Sequence, residues 1–222
     1  MKKNLKIYIF TISGLVILLF VVLNFQRWDE HYEKQYWESP DRGILHLHDS
    51  VLNKIESGDL VFRRGHGWIS DVIARYSQSG NLDLSHVGII IKNEDQLKVF
   101  HAISNHTEGY DGIIEQPFEK FLNHCEKNQL LIIRLKDISQ TQKKQIELSI
   151  HAWQLVNPTF DSQWDWKDSS ELYCSEFVIR VLSDSVKVIQ LPKDQDSVNY
   201  FFMNLNELYN YPNRKVIYST FH

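Results

Sequence analysis

The chain has 222 residues, with 24 Lys and Arg against 28 Asp and Glu, a net charge of -4 and 43% hydrophobic residues. That balance is the composition of an ordinary folded protein and, with no long basic run interleaved with aromatics, argues against a nucleic-acid partner. The two cysteines, Cys125 and Cys174, are too few for a disulfide framework, although a single bridge between them stays open and would remove any reactive thiol.

Lys2, Lys3 and Lys6 precede a run from Ile7 to Phe25 that is broken only by Thr11, Ser13, Gly14 and Asn24. A stretch of about 20 apolar residues is long enough to span a bilayer. Val22-Leu23-Asn24-Phe25-Gln26-Arg27 offers no small-residue cleavage site and no lipoprotein cysteine follows. Residues 1–27 therefore read as an uncleaved signal anchor and transmembrane helix, with a cleaved signal peptide as the alternative. The lysines would stay in the cytoplasm and leave the rest on the extracytoplasmic side, in a bacterial cell envelope. Residues 28–54, polar and aromatic with Pro40 and Gly43, read as a juxtamembrane connector leading into a short helix, and 55–222 as one domain with a sizeable core.

Within that domain, Gly58-Asp59 enter a buried strand at Leu60-Val61-Phe62, and Ile69, Val72, Ile73 and Tyr76 share one face of a helix. The runs 86–92 and 97–102 are apolar and β-branched around the turn residues Asn93-Glu94-Asp95. A hairpin folded about Asn93-Glu94 sets His86 directly across from His101, with Cβ atoms about 5 Å apart. Two imidazoles side by side supply a base and a group to orient it, and Gly88 on the same face leaves room for a close approach. Further on, Pro117 opens a helix, 130–135 is a strand, and 139–155 a helix with Ile146, Ile150 and Trp153 inward. Residues 160–166, with Asp161 among them, rim a cleft or seat the next helix. Strands at 186–191 and 215–219 flank a helix near 198–209.

The stretch Leu172-Tyr173-Cys174-Ser175-Glu176-Phe177-Val178 has helical apolar spacing, with Ser169, Ser170 and Glu171 upstream as capping types. A cysteine on the first turn of such a helix is placed where a thiolate is favoured, and a thiolate beside an imidazole is a nucleophile for carbonyl carbon. The bland alternative is a small buried hydrophobe.

These stretches together resemble the permuted papain-fold hydrolases, the YiiX/YaeF-like group related to NlpC-type cell-wall peptidases and lecithin:retinol acyltransferase-like enzymes. The residues that carry the resemblance are Gly58-Asp59-Leu60-Val61-Phe62-Arg63-Arg64-Gly65, Ser85-His86-Val87-Gly88-Ile89-Ile90, Val99-Phe100-His101-Ala102 and Tyr173-Cys174-Ser175-Glu176-Phe177-Val178. The cysteine follows the histidine strand, the permuted order. The resemblance implies that Cys174 is the nucleophile, His86 the base and His101 the orienting third residue, a position that varies in the group. It implies an oxyanion site at the Cys174 backbone N–H, with Tyr173, Glu176 and Asp161 as residues of the hole or cleft. The expected fold is α+β, a mostly antiparallel sheet packed on the cysteine-bearing helix behind one transmembrane segment.

The expected activity is thiol hydrolysis of amide bonds, peptide or other, in the cell envelope through an acyl-enzyme, with neither cofactor nor metal required. A lipid acyltransferase or lipase would use the same residues on an ester and would need an apolar groove, and a binding module without chemistry is the third reading.

Overall fold

A computed structural model describes the chain apart from residues 1, 40–41, 78–81, 95, 105–109, 165, 167–168, 191–199 and 222. Helix α1 (Lys2–Glu38) comes first, then α2 (Asp49–Leu52), strand β1 (Leu60–Arg63) and helix α3 (Trp68–Tyr76). Strands β2 (His86–Asn93), β3 (Gln96–Ile103) and β4 (Gly112–Pro117) follow, then helix α4 (Phe118–Asn123), strand β5 (Leu130–Leu135) and helix α5 (Gln140–Val156). Helix α6 (Cys174–Ile179) runs on into a π-helical turn over Arg180–Ser185, and helix α7 (Tyr200–Tyr209) and strand β6 (Arg214–Ser219) complete the order.

The six strands form one antiparallel sheet in the order β4-β3-β2-β1-β5-β6. Side-chain alternation splits its two faces. Phe62, Val87, Ile89, Phe100 and Ile133 face a large core completed by Ile146 and Ile150 of α5, Phe177 and Val178 of α6 and Leu205 and Leu208 of α7. Val61, Ile90, Val99 and Ile132 face a smaller core closed by Ile55 and by Phe118 and Phe121 of α4. Ser139 and Gln142 bond reciprocally to start α5, a capping box. Asp59, fully buried, fixes the entry to β1 by accepting from Arg134 Nε at 2.7 Å and from the Glu56 amide at 2.9 Å.

Three expectations need correction. The β2–β3 hairpin pairs Asn93 with Gln96 and Ile89 with Phe100, two residues out of the expected register, because Glu94 rather than Asn93 takes the positive φ of the turn. The N-cap of α6 is Tyr173, with no side-chain cap, and the serines upstream do not serve: Thr159 bridges Glu171 and the Leu172 amide donates to the Thr159 carbonyl at 2.8 Å, so 170–172 are drawn into extended pairing and the helix starts late. No strand forms over the described part of 186–191, where the Val188 amide instead donates back to the Leu182 carbonyl. Leu191 and Val198, at the edges of that strand and the next helix, lie outside the described residues. Strand β4 was not expected at all.

The N-terminal helix is bent by 51° between Thr11–Phe25 and Arg27–Glu38. Among the described residues no single helix is long and apolar enough to cross a membrane, while these two pieces pass that test together by length and composition. The second piece, within the stretch read as a connector, packs on the domain. Tyr36 stacks on His66 at 3.6 Å between ring centres, its hydroxyl donates to Glu126, and the same carboxylate meets His66 Nδ1 at 2.6 Å.

Candidate active site

Both cysteines are free thiols, so the bridge that would have removed any reactive thiol is absent. Cys125 is buried in the smaller core and burial pushes its thiol up to about 12, the environment of an inert residue. Cys174 opens α6 and is 4% exposed. The amides of Val87, Ser175 and Cys174 act on its sulfur, which sets it against β2 one residue along from His86. Cys174, Tyr173 and His86 border a common cavity of about 410 Å³.

His86 Nε2 and His101 Nδ1 lie 2.8 Å apart, with the rings nearly perpendicular. The register shift of two residues keeps both on one face, because strand side chains alternate with period two. Gly88 makes the diagonal contact fit: a Cβ there would sit 3.2 Å from His101 Cβ and 2.5 Å from Val99 Cγ1. Phe121 of α4 lies under both rings.

Two residues that sequence reasoning passed over complete the group. Arg63, paired with His86 across β1 and β2, is 6% exposed, donates to the Phe121 carbonyl at 2.5 Å and stacks on its ring. Gln116 on β4 is 1% exposed, on the same face as His101, and its side chain is the influence that pulls the His101 pKa upward. Alternation along β1 and β4 was the available signal for both.

Burial, followed by the Arg63 charge, holds His86 well below its ordinary value of 6.5, and the same two causes lower His101. Burial pushes the Cys174 thiol up to about 11 against the pull of the three amides. The expected thiolate is therefore corrected: desolvation outweighs the helix start, and the resting pair is thiol and neutral imidazole.

Of the remaining expected residues, Tyr173 is on the cavity wall, whereas Glu176 and Asp161 are not. Glu176, fully buried, is pushed up to about 8 by burial and meets Arg180 Nε at 2.8 Å, and Arg180 stacks on Trp166. Asp161 Oδ1 accepts from the Gln163 and Trp164 amides at 2.7 and 2.8 Å. Both acids thus hold the loop that brings Phe160 and Trp164 to the cavity.

The model of a family described as "Permuted papain-like amidase enzyme, YaeF/YiiX, C92 family" matches residues 54–203. No curated protein matches the chain closely enough to count. Among solved structures, the metalloprotein yiiX from Escherichia coli O157:H7 is similar in fold, with a TM-score of 0.51 and 19% identity over 75% of this chain and 89% of that one. That protein is described as a metalloprotein. Among the described residues here, no three His, Cys, Asp or Glu side chains come together in a way that could hold one. The family model covers most of the sheet and α6, in the order histidine strand before cysteine helix, and on that match the chain belongs to the C92 family of permuted papain-like amidases.

Proposed function

We propose that this protein is a cysteine hydrolase of amide bonds in the cell envelope, with Cys174 as nucleophile, His86 as base and His101 as the positioning residue. The observation that carries the reading is the 2.8 Å His86–His101 contact beside a cavity that also exposes Cys174. With His86 Nε2 committed to His101, its Nδ1 is the nitrogen left for the thiol. For Nδ1 to accept a proton, Nε2 must carry hydrogen and donate to His101 Nδ1, which leaves the His101 hydrogen on its own Nε2. One tautomer of each ring satisfies this chain.

Attack forms the S–C bond as the thiol proton passes to His86 Nδ1, and the oxyanion develops beside the Cys174 backbone N–H at the start of α6. Collapse breaks the C–N bond, and the imidazolium proton leaves with the amine. Water then gives its proton to His86 and its oxygen to the thioester, releasing a carboxylic acid and restoring the thiol. Because the resting thiol is neutral, the thiol proton has to pass to His86 before or during attack.

The apolar N-terminal segment is the membrane anchor in this reading, with the domain on the extracytoplasmic side, testable by protease protection in spheroplasts. The catalytic assignment is tested by alkylating Cys174 with iodoacetamide and by screening amide substrates with Cys174→Ala and His86→Ala. Turnover that survives Cys174→Ala removes the assignment, and ligand binding without any turnover in the native protein favours a binding module.

A further inference from the structure

One wall of the Cys174 cavity comes from outside the sheet domain. Phe25, Asp29, Glu33 and Trp37, at successive turns of α1, line one side of it. This wall is laid on the domain and is not built into it. Among the described residues, none of α1 belongs to either core, and Trp28 and Tyr32 on its second half stay 43% and 67% exposed. The helix also lies before residues 54–203, the part of the chain that the family model matches. What holds it is a set of contacts to loops and one helix end. Tyr36 stacks on His66, between β1 and α3, and its hydroxyl donates to Glu126, between α4 and β5. Burial and the Glu126 carboxylate push that hydroxyl up to about 12, so it remains a donor at neutral pH. The Trp37 ring lies 5.3 Å from that of His124 with Arg42 over its face, and Arg42 donates to the Asn123 carbonyl. Asp29 and Glu33 end over the start of α3, which has no side-chain cap of its own. The Trp68 amide donates to Asp29 Oδ1 at 3.4 Å, and a Cβ on Gly67 would lie 3.3 Å from Glu33 Oε2.

We propose that the Arg27–Glu38 half of α1 is a detachable cover on the active site, and that substrate reaches Cys174 when this segment undocks. This rests on the hydrolase reading and adds to it the regulation of that site. With the cover in place Cys174 is 4% exposed, in a cavity of about 410 Å³, the size of a small-ligand site of about 300–1,000 Å³. An amide in the middle of a polymer has chain on both sides and needs a groove open at both ends. Taking one wall away turns the cavity into such a groove and leaves both cores intact, because the cover contributes to neither. Helices α5 and α6 could not leave on those terms, since Ile146, Ile150, Phe177 and Val178 are part of the larger core. The cover is held by ring stacking and a few hydrogen bonds at its edge, contacts that each shift an equilibrium by about tenfold. The 51° bend between Thr11–Phe25 and Arg27–Glu38 separates it from the apolar half, so it can swing while that half stays where it is. Undocking also removes Asp29 from the first turn of α3, loosening a second side of the cavity at Trp68 and Ile69.

The test uses the full chain in phosphatidylcholine nanodiscs, treated with N-ethylmaleimide and with a polyethylene-glycol maleimide. Cys174 and Cys125 are followed separately by mass spectrometry, as the loss of each unmodified peptide. Tyr36→Ala removes the stacked ring and the hydroxyl while keeping a strong helix former. Both Cys174 rates are expected to rise about tenfold in it, the bulky reagent's by at least as much as the small one's. Tyr36→Phe, which keeps the stacking, is expected to show a smaller rise of about threefold, and Tyr32→Ala none. Cys125, 2% exposed in the smaller core, reports on folding and is expected to stay unreactive throughout. Unchanged Cys174 rates in Tyr36→Ala overturn the cover and leave the hydrolase reading standing. A rise confined to N-ethylmaleimide overturns it because the groove has stayed closed, and a rise that Cys125 shares overturns it as general loosening of the fold. A Cys174 inert to both reagents in every variant overturns the hydrolase reading itself.

Discussion

His86 Nε2 and His101 Nδ1 lie 2.8 Å apart, yet the residue packed beside His101 on the neighbouring strand is Gly88, not His86. The contact is diagonal and depends on His101 leaning across a position without a side chain. Diagonal neighbours on paired strands have Cα atoms about 7–8 Å apart, a distance that two rings bridge only when nothing stands between them.

If His101 holds the tautomer and direction of the base, His101→Ala should lower turnover by about 10²–10³-fold with KM little changed, within the range of general-base effects. His101→Asn, which can still accept from His86 Nε2, should recover part of that loss. A melting point that falls in both variants with turnover intact would show His101 to be structural only.

Gly88→Val places its Cβ within 2.5 Å of Val99 Cγ1 and 3.1 Å of the Phe100 carbonyl, neither of them the end of a flexible side chain. Overpacking of this kind costs about 1–3 kcal/mol, measurable by urea unfolding. Because the same Cβ crowds His101, turnover should fall further in this variant than in one of equal stability altered elsewhere.

The reactivity of Cys174 should keep rising with pH through neutrality towards the thiol pKa of about 11, and a plateau below neutral pH would mean a standing thiolate–imidazolium pair instead. Stability carries the matching signs. Below 6.5 the unfolded chain takes up protons that His86 and His101 refuse in the fold, so these groups make stability rise with pH there. Glu176, pushed from 4.5 to about 8, holds a proton that the unfolded chain has lost, so its contribution falls with rising pH over that window. Glu176→Gln should therefore steepen the acid-side rise, read by urea midpoints across pH. Between 9.0 and about 11 Cys174 makes stability fall with pH, an effect absent from Cys174→Ser.

Asp59→Ala takes from Arg134 its buried partner, leaving it Glu56 and the Lys54 carbonyl, and leaves the Glu56 amide without an acceptor; it should cost about 1–3 kcal/mol. The iodoacetamide rate of Cys174 in the folded fraction should hardly change, since Asp59 lies at the far end of β1 from Arg63. A large rate change at full stability would give this aspartate a part in the site.

How much of this was legible in the sequence depended on whether the signal was local. Alternation and turn residues fixed β1, β2, β3 and β5 closely, and the shared face of the two histidines survived a register error because a slip of two residues preserves it. The slip itself was not readable: Glu94 takes a left-handed conformation that Asn93 next to it favours more. The sign of the Cys174 shift was missed because a helix start shows in sequence while burial to 4% exposure is set by the whole core. The packing of α1 on His66 and Glu126 joins residues up to 90 positions apart, and nothing between Trp28 and Leu52 marks it.

The order of the elements along the chain has a consequence during synthesis. Strands β1 to β5, which carry Arg63, His86, His101 and Gln116, all leave the ribosome before Cys174 does. A nascent chain can therefore assemble the two imidazoles and the residues around them on a nearly complete sheet before Cys174 has been made. If Cys174 is the nucleophile, attack on bystander molecules has to wait until α6 arrives and packs, and a half-made copy stays chemically silent.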